Sequence, residues 1–245
     1  MNTTPRIESG LNGLDALLGG GLPENSVTLV YGPPKTGKSI LCYHFLFRGL
    51  LKDEPCLFVM SDYTWNQLSE RMMTFNWPIE KYAKDEKIYR IDTVSRLGSK
   101  VPKETQTLKI SHTENPTDVM LHVSSGARYL YKKFNRFRAV LDSSTSFFLY
   151  NPHSLINRVL KSYVLSIKEA GGTGLITYAE GSVDSQTETM LKASVDNLIK
   201  LDGEEMHIEA VIGAGRKKAS YSIGEKGILL KEISDENSFI AVGLD

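Results

Sequence analysis

The sequence predicts an α/β fold, with a mostly parallel sheet flanked by helices and C-terminal antiparallel β-hairpins. Three observations lead there. Apolar strand-like runs alternate with helical stretches through most of the 245 residues, as a parallel sheet covered by helices requires. The segment Gly32-Pro33-Pro34-Lys35-Thr36-Gly37-Lys38-Ser39 fits the pattern Gly, four residues, Gly-Lys-Ser, between a strand and a helix. Beyond Val195 the apolar runs become short and glycine-punctuated, which is the pattern of hairpins.

Each element follows in order. Val27 to Tyr31 is a short apolar strand, and Ile40 to Leu46 reads as a helix. Cys56 to Met60 reads as a buried strand. Trp65 to Phe75 carries Leu68, Met72 and Phe75 on one helical face. Lys87 to Asp92 is a further strand. Ser95 to Asn115 is polar, contains Gly98 and Pro102, and reads as a long exposed loop. Asp118 to Phe134 is helical by its spacing of Val119, Val123, Leu130 and Phe134. Ala139-Val140-Leu141 is a strand ending in Asp142. Ser154 to Glu169 is a helix closed by Gly171-Gly172. Gly174 to Tyr178 is the next strand. Val195–Leu201, Met206–Ile212, Ser220–Ile223 and Ile228–Ile233 are the short strands of the hairpins.

The loop has a specific chemistry. A strand, a glycine turn and a helix N-terminus form an anion cradle, because unpaired N–H groups and the positive end of the helix dipole point at phosphate oxygens. Gly32, Pro33, Pro34, Lys35, Thr36, Gly37, Lys38, Ser39 and Ile40 are the expected binding segment. Lys38 would reach the β- and γ-phosphates, and the Ser39 hydroxyl would ligate Mg²⁺. The two prolines lie early in the loop, where a fixed φ matters more than a donor. Such a site also needs an acidic residue at the end of another strand to hold Mg²⁺ through water. Asp142 is placed for this, at the carboxyl edge of its strand.

Bulk properties narrow the partners. Lys+Arg and Asp+Glu both count 29, so the net charge is zero and nucleic acid is not an expected partner. No apolar run approaches the ~20 residues of a membrane span. The N-terminal residues lack the order of a signal peptide, so a cytoplasmic protein is expected. Cys42 and Cys56, in apolar surroundings, are expected to be small buried thiols. The five histidines show no paired metal-ligand spacing.

With these residues in place, the chain resembles the KaiC-type ATPases of the RecA superfamily, a group of P-loop NTPases, in single-domain form. Ser9-Gly10-Leu11-Asn12-Gly13-Leu14-Asp15-Ala16-Leu17-Leu18-Gly19-Gly20-Gly21-Leu22-Pro23 is similar to that family's leader, T-G-x-x-G-x-D-x-L-L-G-G-G-x-P. The strand at Cys56, the Phe75-Asn76-Trp77 segment, the Asp142-Ser143 step and the Gly227-Ile228 hairpin follow the family order. The resemblance runs from about Ile7 to Ile233. It implies a RecA-like core, ATP with Mg²⁺, and a homo-oligomer with sites at subunit interfaces. It divides residues 1–245 into a leader (1–25), a core (26–201), and C-terminal hairpins with a tail (202–245).

Two departures separate binding from hydrolysis. The family carries two adjacent glutamates after its second core strand, which polarise the attacking water. The matching positions here are Asp62 and Tyr63. Asp62 is either a repositioned catalytic carboxylate or the N-cap of the following helix. The family also places a Lys-x-Arg-Gly finger near the C-terminus, reaching the neighbouring subunit's γ-phosphate. The matching positions here are Gly213 and Gly215, followed by Arg216, Lys217 and Lys218. These three are either a shifted trans-subunit finger or a solvated basic turn. Trp65, Tyr63 and Trp77 are either base-stacking or core aromatics. Ser143 to Ser146 are either site hydroxyls or a polar strand exit. The function is accordingly a slow Mg²⁺-dependent ATPase or a non-hydrolysing ATP-binding module that controls assembly or a protein partner.

Overall fold

The computed structural model describes residues 4–98 and 100–231. The chain opens with β1 (Arg6–Ile7), α1 (Asn12–Leu17) and β2 (Leu22–Pro23), in which β1 and β2 pair antiparallel. The core follows as β3 (Val27–Gly32), α2 (Lys38–Leu51), β4 (Cys56–Met60), α3 (Trp65–Met73), α4 (Glu80–Lys84) and β5 (Ile88–Asp92). It continues through β6 (Leu108–Ile110), α5 (Pro116–Phe134), β7 (Phe137–Asp142), α6 (Ser144–Tyr150), α7 (His153–Glu169), β8 (Gly172–Ala179) and α8 (Ser185–Ala193). The final strands are β9 (Asn197–Leu201), β10 (Glu205–Ala210), β11 (Lys217–Gly224) and β12 (Gly227–Leu230). Ile233 and the rest of the expected tail lie outside the described residues.

The main sheet has the order β12-β11-β10-β9-β3-β8-β7-β4-β5-β6. From β9 to β6 neighbouring strands are parallel. The strands β10, β11 and β12 are added antiparallel at the other edge. Helices bury both faces, which is why the parallel strands read as continuous apolar runs. The alternation is visible within β4. Cys56, Phe58 and Met60 pack on the face covered by α2 and α3, while Leu57 and Val59 pack on the face of α5 and α7. Cys42 and Cys56 are buried free thiols, as expected.

The expected loop at Ser95 to Asn115 needs correction. It contains β6, which extends the parallel edge, and Leu108 and Ile110 are buried. A three-residue edge strand flanked by polar residues is too short for an alternation signal. Four short helices, α1, α4, α6 and α8, likewise carry no clear signal in the sequence. The helix α6 starts directly after the end of β7, with Ser143 as its cap, so no turn separates strand from helix.

The topology brings three chain segments to one edge. The carboxyl ends of β3, β7 and β4 carry the glycine loop, Asp142 and Asp62 respectively. In open α/β sheets this edge is where ligands bind.

Candidate functional site

The loop from Gly32 to Ser39 has two glycines whose backbone no other residue adopts easily. Gly32 has φ 139°, and a Cβ there would lie 1.9 Å from the Leu201 carbonyl oxygen. Gly37, the residue preceding α2, has φ 96°, and a Cβ there would lie 2.9 Å from Ile223 Cδ1. The close packing of backbone against β9 and β11 fixes the loop's path.

A cleft of about 610 Å³ opens over the loop. Pro34, Lys35, Gly37, Lys38, Ser39 and Ile40 line it from the loop and α2. Asp142 reaches it from β7, and Asp62 from beyond β4. Gly32, Pro33 and Thr36 belong to the same segment without lining the cleft. The Gly32 and Pro33 carbonyls instead accept from the Lys38 ammonium, at 2.9 Å for Gly32. Burial lowers the Lys38 pKa, and the Asp142 charge opposes that shift.

Asp142 is 4% exposed. Its Oδ1 accepts from Ser39 Oγ at 3.0 Å and from Thr177 Oγ1 at 2.6 Å. Burial pushes its pKa up to about 6, with the Asp62 charge adding to the rise and both hydroxyls opposing it. A carboxylate and a hydroxyl already paired across α2 and β7 are a donor set for a hard cation such as Mg²⁺. A glycine cradle, a buried ammonium and that donor set fit a nucleotide triphosphate with its metal.

The chain matches the model of the KaiC ATPase family over residues 7–228. It belongs to that family. An ATP-binding function of the RecA type goes with this membership. A UPF0273 protein of Sulfurisphaera tokodaii is 30% identical over 207 residues, covering 82% of this chain and 69% of that protein. A UPF0273 protein of Pyrococcus furiosus is 27% identical over 240 residues, covering 92% and 93%. A crystal structure of a KaiC-like protein from Pyrococcus horikoshii superimposes with a TM-score of 0.73 at 24% identity, over 94% of this chain and 100% of that one. The α/β RecA-like fold is therefore that of the KaiC-type family.

Asp62 and Tyr63, the positions that the resemblance assigns to catalysis, both lie at this cleft. Asp62 is not the cap of α3. That position is taken by Thr64, which forms a reciprocal capping box with Gln67. Asp62 lines the cleft, and its Oδ1 accepts from Ser146 Oγ. Tyr63 also lines the cleft, with the Arg71 guanidinium 3.9 Å from its ring centroid. Trp65 and Trp77 are core residues. Trp65 is buried under Arg90, and Trp77 packs on His44, Phe47 and Phe75. The serine run divides its roles. Ser143 caps α6 and Ser144 donates to the Thr177 carbonyl. Ser143, Thr145 and Ser146 line the cleft.

Arg216, Lys217 and Lys218 do not line this cleft. They border a separate groove with Leu198, His207 and Glu209. Lys217 donates to the Leu17 carbonyl, and Lys218 pairs with Glu205. His207 meets Asp202 and Glu205 there, where the Lys218 ammonium already balances charge.

Sequence reasoning missed the contribution of the C-terminal hairpins. Tyr221 Oη donates to the Thr36 carbonyl at 2.6 Å and accepts from Gly203 N–H at 3.1 Å. The Ile228 N–H donates to His44 Nε2 on α2 at 3.0 Å. Ile223 lines the cleft itself. These residues lie far from the loop in the chain, so no local pattern marks them. Arg71 and Thr177 were missed for the same reason.

Proposed function

We propose that this protein binds ATP with Mg²⁺ in the cleft and hydrolyses it slowly. The observation that supports this most is the Ser39–Asp142 hydrogen bond, which joins the loop's hydroxyl to the carboxylate of β7. Ser39 would hold the metal directly, and Asp142 through water. Bound Mg²⁺ would supply neutralisation of charge on the β- and γ-phosphates. Lys38 would exchange its loop carbonyls for phosphate oxygens. Asp62 would take a proton from the attacking water, oriented by its bond from Ser146. A carboxylate one methylene shorter than glutamate, without a second beside it, supports slow turnover.

The alternative is an ATP-binding module with no turnover, in which ATP controls assembly or a protein partner. Tyr63 in place of the family's second carboxylate favours it. Residues 1–245 act as one unit in either reading, and the unit assembles as a homo-oligomer. Among the described residues Arg216 makes no side-chain hydrogen bond or ion pair, which leaves it available to a neighbouring subunit. No described helix is long and apolar enough to cross a membrane, in keeping with a cytoplasmic site of action.

Phosphate release by the purified protein, beside Lys38→Ala and Asp62→Ala, tests the reading. Turnover that disappears in both variants supports it. Tight ATP binding without turnover above background selects the regulatory module. Sizing with and without ATP tests assembly, and a monomer in both conditions removes any trans role for Arg216 to Lys218.

A further inference from the structure

The cleft extends past the metal pair toward α3, where Tyr43, Tyr63, Arg71, Thr74 and Phe75 line it. Two groups there have no polar side-chain partner among the described residues. The Tyr43 side chain is 2% exposed, yet its hydroxyl has no hydrogen-bond partner among the described residues. A buried hydroxyl left unpaired is costly, and such groups in native structures commonly meet a ligand or water. Burial holds this phenol far above its ordinary pKa, with the Asp142 charge adding, so it remains a proton donor. Arg71 is the second group. Its guanidinium lies on the face of Tyr63, and it forms no ion pair among the described residues.

The position of these groups along the cleft is informative. Ser39 and Tyr43 are one helical turn apart on α2 and share a face. Ser39 and Asp142 are the residues that would hold the metal, which would neutralise charge on the β- and γ-phosphates. Tyr63, on whose ring Arg71 rests, directly follows Asp62 in the chain, and Tyr43 and Arg71 line the same cleft as Ser39, Asp142 and Asp62. In the proposed reading Asp62 faces the water that attacks the terminal phosphoryl, so groups beside it would meet that phosphoryl. ADP lacks that phosphoryl.

We propose that Arg71, held on the Tyr63 ring, and the Tyr43 hydroxyl bind the γ-phosphate, so that a single chain distinguishes ATP from ADP. The inference rests on the cleft being the ATP site. It gives Tyr63 a purpose. The ring that replaces a carboxylate removes a negative charge and provides a face on which a guanidinium is held. The planar fork of arginine then presents paired donors to an oxyanion.

The test is titration of the full-length protein with Mg·ATP and Mg·ADP, by calorimetry or by competition with a fluorescent analogue. Charged hydrogen bonds of this kind correspond to about 10- to 100-fold in affinity. Arg71→Ala should weaken ATP binding by about 10-fold or more while leaving ADP within about twofold. Tyr43→Phe keeps the ring and should reduce the ATP preference by about threefold to tenfold, as for loss of one hydrogen bond. Arg71→Lys, which keeps the charge and loses the fork, should fall between wild type and Arg71→Ala. Thermal unfolding of each variant confirms that it is folded. Equal losses for ATP and ADP, or no loss for ATP, would overturn the assignment. Lys38→Ala separates the two readings. If it leaves ATP binding intact, the cleft is not the ATP site; if it lowers ATP and ADP together, the site stands and only the Arg71 assignment is under test.

Discussion

At the loop end of the cleft, Lys38, Ser39 and Asp142 are each tied to a neighbour: the loop carbonyls, the Asp142 carboxylate, and the hydroxyls of Ser39 and Thr177. At the α3 end, the Tyr43 hydroxyl has no hydrogen-bond partner among the described residues, and Arg71 rests on an aromatic ring. The loop end is organised before any ligand arrives. The α3 end presents a buried, unpaired hydroxyl and an exposed guanidinium instead. In the proposed reading the β-phosphate and metal would meet a preorganised frame, while recognition of the terminal phosphate and turnover would depend on the groups at the α3 end.

The largest expected effect breaks the loop end. Lys38→Ala should abolish turnover and lower ATP affinity by about 100-fold, the loss expected for a charged pair to phosphate. Calorimetric titration checks this, and an affinity within about threefold of wild type would remove the loop from the binding site. The next effect isolates the α3 end. Asp62→Asn should reduce single-turnover phosphate release by about 1,000-fold, within the range for loss of a general base. ATP affinity should change little, because Asp62 holds no phosphate. Unchanged turnover would mean that another group, or none, positions the water.

A smaller effect tests how the buried carboxylate is held. Asp142 has its pKa raised from 3.8 to about 6, chiefly by burial. The folded apo protein therefore binds more protons than the unfolded chain between about pH 4 and 6. The stability that protonated Asp142 contributes is present below about pH 4 and is lost as pH rises to about 6. Relative to wild type, Asp142→Asn should gain about 2 kcal/mol between pH 4 and pH 7 without Mg²⁺. Urea denaturation across that range reads it out. A difference that is flat with pH would show that Asp142 is ionised throughout. Mg²⁺ competes with the same proton, so Mg²⁺-dependent ATP affinity should weaken as pH falls through about 6.

The loop end was legible in the sequence because its parts are local. Gly32 to Ser39 are contiguous, and Asp142 ends a strand that its apolar run identifies. The parallel sheet was legible for a related reason: strands buried on both faces leave unbroken apolar runs. Short elements were not. The strand β6 has three residues, and α6 begins where β7 stops, so neither carries enough periodicity to be read. The α3 end was hidden by chain distance. The sequence leaves Asp62 open between base and cap; in the fold Thr64 holds the cap. Tyr63 alone reads as a base-stacking or core aromatic, and nothing in the sequence singles out Arg71; only their stacking inside the cleft brings them together.

The smallest predicted effect concerns the support beneath the loop. Tyr221 on β11 donates to the Thr36 carbonyl and accepts from Gly203 N–H, which ties the loop to the β9–β10 turn. Tyr221→Phe preserves the buried ring and removes both bonds. Net loss of such a bond is about 1 kcal/mol, and a carbonyl and an amide are left to find water. Stability should therefore fall by about 1–2 kcal/mol, visible as a lower urea midpoint with unchanged slope. The same change should weaken ATP and ADP binding equally, by a few-fold, because the loop serves phosphates common to both. Arg71→Ala is expected to do the opposite, acting on ATP alone. If Tyr221→Phe changed the ATP-to-ADP preference, the separation of a preorganised loop end from a discriminating α3 end would fail.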